Sequence, residues 1–83
     1  MLTQRIIISP NGVSAKNIRS FAQVAEQYKC GIWIEKDGQR MNAKSVLGVL
    51  SAQIKGNRVI TLLADGVDEH EAIHSLSELL SAF

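Results

Sequence analysis

The chain lacks the means to be stapled or clamped. Its single cysteine, Cys30, cannot close an internal disulfide. A surplus of one charge is missing too. The net charge of +1 gives no electrostatic case for nucleic acid or a membrane surface as partner. Long apolar runs are absent, and Val59 to Ala64 is far too short to span a bilayer. The N-terminus has no basic, apolar, small-residue order of the secretory kind. Together with the missing disulfide, these absences point to the cytoplasm. Length is also short: 83 residues predict one domain, 1–83, with a modest core and little room for a deep substrate pocket. What is present is apolar. The hydrophobic share of 46% is normal for a globular chain and too high for disorder.

The apolar residues are patterned. Leu2 to Ile8 is isoleucine-rich and stops at Ser9-Pro10-Asn11-Gly12, which reads as a strand and a loop. Ile18, Phe21, Ala22, Ala25 and Tyr28 recur at helical spacing and predict a helix over Ala15 to Tyr28, with Ser14 as its N-cap. Asp37-Gly38 between Ile32–Lys36 and Gln39–Ala43 predicts a two-residue hairpin. That turn sets Ile34 opposite Met41 and Ile32 opposite Ala43 on the core face. Glu35 and Arg40 then pair on the other face, which also carries Trp33 and Asn42. Ser45 to Ala52 reads as a short helix capped by Ser45, and Val59 to Asp65 as a strand with Ile60, Leu62 and Ala64 inward. Asp68 to Ala82 reads as a final helix whose stripe is Ala72, Ile73, Leu76, Leu79 and Leu80. The order βαββαβα predicts an α+β domain, an antiparallel sheet with helices on one face.

His70-Glu71-Ala72-Ile73-His74 fits the zinc-protease pattern H-E-x-x-H. At about 100° per residue both histidines fall away from the apolar stripe, so they face solvent. No third ligand follows, and no metal or cofactor is expected. Cys30 reads as buried or half-buried filler. Trp33, Val59, Thr61 and Leu63 form a stripe on the open sheet face, read first as capped or merely exposed, though such a surface can also support self-association. Ser14 reads first as an N-cap. Gly12, the free helix end and Lys16 give it a second reading as an anion site. Ser45 is likewise a cap, but a phosphate there would meet free N–H groups and a helix dipole, beside apolar Val46 and Leu47.

Three segments carry a family resemblance: Pro10-Asn11-Gly12-Val13-Ser14-Ala15-Lys16, Asn42 to Leu50, and Ala64 to Glu69. They resemble HPr, the phosphocarrier of the bacterial sugar phosphotransferase system, over nearly the whole chain. The resemblance implies an HPr-like open-faced β-sandwich, with a four-stranded antiparallel sheet in the order 1-4-2-3 and three helices on one face. It also exposes a departure. The carrier motif runs glycine, apolar, histidine, small, arginine, proline, whereas this chain has Gly12, Val13, Ser14, Ala15, Lys16 and Asn17. Phosphohistidine is a labile phosphoramidate, and phosphoserine is a stable ester whose uncatalysed hydrolysis is among the slowest of reactions. Lys16 keeps a charge but lacks the bidentate fork of arginine.

The serine segment is intact: Lys44, Ser45, Val46 and Leu47 are similar to the regulatory site of HPr proteins. The pattern resembles the catabolite-repression HPr-like proteins, which lack the carrier histidine. That resemblance implies a non-enzymatic regulatory protein, phosphorylated on Ser45 by an HPr kinase/phosphorylase and then bound by a LacI-type transcriptional regulator. Ser14, Lys16, Lys44, Val46, Leu47 and Leu50 would form the surface that partners read. Other phosphotransferase proteins are further partners, and exchange of the first strand is a route to a homodimer. The competing expectations are a carrier with an atypical site and an interaction module that is never phosphorylated.

Overall fold

The computed structural model describes residues 1–83. The elements run β1 (Leu2–Ile7), α1 (Ala15–Glu26), β2 (Gly31–Lys36), β3 (Gln39–Asn42), α2 (Val46–Ser51), β4 (Val59–Asp65) and α3 (Glu69–Ala82). The four strands form one antiparallel sheet in the order β1-β4-β2-β3. This is the α+β arrangement expected from the sequence.

Alternation along the strands decides what is buried. Ile32 and Ile34 of β2 and Ile60, Leu62 and Ala64 of β4 face the helices and are buried. Phe21 and Ala25 of α1, Val49 of α2, and Leu76 and Leu80 of α3 close the core from above. The hairpin has the expected register, with Ile34 opposite Met41 and Glu35 opposite Arg40. Asp37 (φ 52°) and Gly38 (φ 80°) supply the two left-handed residues of its turn. The Glu35–Arg40 pair forms at 3.4 Å.

Several element ends shift by one residue from the expected bounds: β2 starts at Gly31, β3 stops at Asn42, α2 spans Val46–Ser51 and α3 starts at Glu69. α1 stops at Glu26 rather than Tyr28. Beyond Gln27 the backbone is claimed by other groups: Asp68 accepts the N–H groups of Lys29 (2.8 Å) and Cys30 (2.9 Å), and Lys44 Nζ donates to the Tyr28 carbonyl (2.8 Å). β1 ends at Ile7, although Ile8 still donates to the Arg58 carbonyl and is buried.

The sheet face away from the helices is less open than its pattern implies. Leu63 lies on it yet is only 4% exposed. Trp33 sits opposite Leu63, and its ring folds so closely over Gly31 that a Cβ there would collide with it. Arg40 stacks 6.0 Å from the same ring. The rest of the stripe, with Val59 opposite Ile7 and Thr61 opposite Arg5, stays partly or fully exposed.

Candidate functional site

Both serines singled out in the sequence are helix N-caps. Ser14 is exposed and extended (φ −72°, ψ 160°), and its Oγ accepts the N–H of Asn17 at 3.1 Å. The loop before it is pinned by Gly12, whose φ of 72° is left-handed and whose N–H donates to the Ser9 carbonyl at 2.9 Å. The same glycine lies against the backbone of Gly56, leaving little room for a side chain. Ser14 is therefore presented by a tightly built turn. Lys16 follows on the exposed first turn of α1.

Ser45 is half-buried, with its Oγ accepting the Gly48 N–H at 3.1 Å. Its own N–H donates to Asn42, and its carbonyl accepts Val49 N–H. Asn42 braces this turn a second time, its Oδ1 accepting the Lys44 N–H at 2.9 Å. Around Ser45 the apolar residues divide. Val46 and Leu50 pack against the core, while Leu47 is 80% exposed. Lys44, placed by the sequence on the reading surface, has its ammonium on the Tyr28 carbonyl. α1 and α2 pack against each other, which makes one helical layer of the two capped segments.

Ser14 has no general base within a recognisable arrangement. The chain's only histidines, His70 and His74, are exposed on α3, as their spacing predicts. No group of three or more potential ligands gathers to hold a metal ion. The one surface depression lies between β1 and α3, lined by Gln4, Ile6, Ser77, Glu78 and Ser81, and includes neither capped serine.

Three positioning residues have no local signal in the sequence. Lys36 reaches from β2 to donate to the carbonyls of Ala52 (2.6 Å) and Gln53 (3.1 Å), closing the C-terminal end of α2. Ser9 Oγ donates to the Phe83 carbonyl at 2.7 Å. Asp68 starts α3 but makes no capping bond with its side chain, which it spends on Lys29 and Cys30. These donors, the Lys29 N–H first, hold its carboxyl below the usual range. Glu69 is held low by the Gly66 N–H, and beside it the terminal amine of Met1 is raised by the charge of Glu69. Cys30 is buried, and desolvation with the nearby Asp68 pushes its thiol up to about 11.

A sheet in the order 1-4-2-3 roofed by three helices, with a serine capping each of the first two, defines the open-faced sandwich class. The family described as "PTS HPr component phosphorylation site" matches residues 3–82, and the chain belongs to the HPr family. It is 37% identical to the phosphocarrier protein HPr of Neisseria meningitidis, covering 100% of this chain and 94% of that protein. It is 42% identical over 65 residues to the HPr-like protein Crh of Halalkalibacterium halodurans, covering 78% and 77%. Among solved structures, HPr from Thermoanaerobacter tengcongensis superposes with a TM-score of 0.91 at 36% identity, covering 99% of this chain and 93% of that one. Crh of Bacillus subtilis, described as a swapped, intertwined dimer, superposes with a TM-score of 0.81 at 31% identity, covering 99% and 95%. The chain is thus an HPr-like phosphocarrier or regulator. No helix is long and apolar enough to cross a membrane.

Proposed function

We propose that this chain is a non-carrier HPr-like regulatory protein: it is read by other proteins and catalyses no reaction. Ser45 accepts a phosphate from an HPr kinase/phosphorylase, and the phosphorylated form binds a LacI-type transcriptional regulator in carbon catabolite control. The observation that carries this reading is the contrast between the segments around two serines that both cap helices. Ser14 stands where the family holds its carrier histidine, in a motif whose arginine and proline are here Lys16 and Asn17. Ser45 stands at a helix start flanked by the exposed Leu47, in a segment that keeps the family's lysine-serine-apolar order. A phosphate there gains from free N–H groups and the helix dipole. Leu47 supplies the apolar contact, Val46 and Leu50 back it, and Ser14 and Lys16 complete the surface from α1.

The test is intact mass after incubation with ATP and an HPr kinase/phosphorylase, with an ordinary HPr as positive control. One added phosphate, lost in Ser45→Ala and kept in Ser14→Ala, is expected. An unmodified chain beside a modified control removes the mechanism and leaves an interaction module.

The full-length identity to a phosphocarrier HPr favours a second reading, a carrier with an atypical site. Phosphoenolpyruvate-dependent labelling by enzyme I of the phosphotransferase system separates the two. The regulatory reading extends to self-association through β1, an edge strand paired only with β4, since the Bacillus subtilis relative is described as a swapped, intertwined dimer.

A further inference from the structure

The charges of this chain are segregated along its length. All nine Lys and Arg side chains lie between Arg5 and Arg58, while five of the eight carboxylates (Asp65, Asp68, Glu69, Glu71 and Glu78) come after them. α3 carries no Lys or Arg, and its two histidines are both exposed. We propose that His70 and His74, one turn apart on α3, form a two-imidazole clip for a borderline transition-metal ion, with copper(II) preferred over nickel(II) and zinc(II).

Residues four apart on a helix are neighbours on its surface, so the two rings can close on one ion without moving the backbone. Imidazole suits these metals, and the order of affinity for a nitrogen and oxygen site places copper(II) first. The second ring has a carboxylate beside it: His74 Nε2 lies 3.5 Å from Glu78 Oε1, a contact that leaves the Nδ1 edge of the ring open. That carboxylate–histidine pairing is the arrangement metal-binding imidazoles commonly use. The helix start disfavours a cation near His70, but Glu69 and Glu71 in the same turn offset its partial positive charge. This clip has only two protein ligands and remains open to water, so it holds an ion without forming the zinc-protease site that its sequence pattern evokes.

The experiment is a copper(II) titration of the untagged chain by calorimetry, with electron paramagnetic resonance of the one-equivalent complex. The terminal amine of Met1 is the competing ligand, so an N-terminally acetylated chain is run alongside. One equivalent bound, nitrogen couplings from two imidazoles, and unchanged affinity after acetylation are expected. His70→Ala and His74→Ala should each weaken binding about tenfold or more, and Glu78→Ala by a few-fold. Circular dichroism checks that the variants remain folded. Affinity within about twofold of the parent in either histidine variant, loss on acetylation, or no stoichiometric binding would overturn the clip.

Discussion

α2 is a helix of six residues, too short to persist on its own, and side chains hold both of its ends. Ser45→Ala deletes the N-terminal acceptor and should cost about 1 kcal/mol. Lys36→Met keeps the aliphatic stem and deletes the ammonium that binds Ala52 and Gln53. Bonds to a charged group contribute about 1.5–3 kcal/mol. One of these two is exposed, so a net cost of about 1 kcal/mol is expected. Each single variant should melt roughly 4–8 °C lower. The double variant should fall short of the summed losses by about 0.5 kcal/mol, because fraying from one end already weakens the contact at the other. Ser45→Asp restores an acceptor and adds charge of the favourable sign, so it should recover most of the loss. Urea denaturation followed by Trp33 fluorescence and by circular dichroism measures all four. An unchanged midpoint in Ser45→Ala would refute the reasoning for the cap and leave the hold on α2 to Lys36 and to the packing of Val46, Val49 and Leu50.

Leu47→Ala should leave stability within about 0.5 kcal/mol, since the side chain is mostly exposed, yet weaken binding of the Ser45-phosphorylated form to the proposed LacI-type regulator in a pull-down. Cys30 should resist iodoacetamide in the native state: with the thiol raised from 9.0 to about 11, its thiolate fraction at pH 8 is about 100-fold below that of a free cysteine. Alkylation should then follow unfolding, and an alkylation rate equal to that of the urea-unfolded chain would contradict its burial. Asp68 is held below its ordinary value of 3.8, so its stabilising effect is complete above that value and drains as pH falls through the lower folded value. Asp68→Ala should therefore lower the melting temperature at neutral pH and flatten the acid limb of the stability profile. It should also speed amide exchange at Lys29 and Cys30.

Local chemistry made most of the architecture legible. The Asp37-Gly38 turn dictates the hairpin register, and the helical spacing of Ile18, Phe21 and Ala25 dictates which face of α1 is buried. The two serine caps were visible because a cap acts within three residues of itself. The contacts of Asp68, Lys36 and Lys44 were not, because each joins segments 16 to 39 residues apart. Only the closed fold brings them together, which is why the end of α1 was placed two residues late. Leu63 escaped for a related reason. Its alternation with Leu62 marks it as outward, and its burial depends on Trp33, which lies opposite it on β2. The site residues were read from family resemblance and capping chemistry. Their division into core-packed Val46 and Leu50 and exposed Leu47 needed the packed helical layer.

The strand order has a kinetic consequence. β1 is the first strand made and β4 the last, yet β4 lies between β1 and β2 in the sheet. As the chain emerges during synthesis, β1 must wait through more than fifty residues for its partner, from Ile7 to Val59. Such distant pairing carries its loop-closure cost before any contact rewards it, which slows folding. During that wait the β4 of a neighbouring nascent chain offers β1 the same hydrogen-bond ladder. The strand exchange proposed above would then depend on crowding along a polysome as well as on sequence.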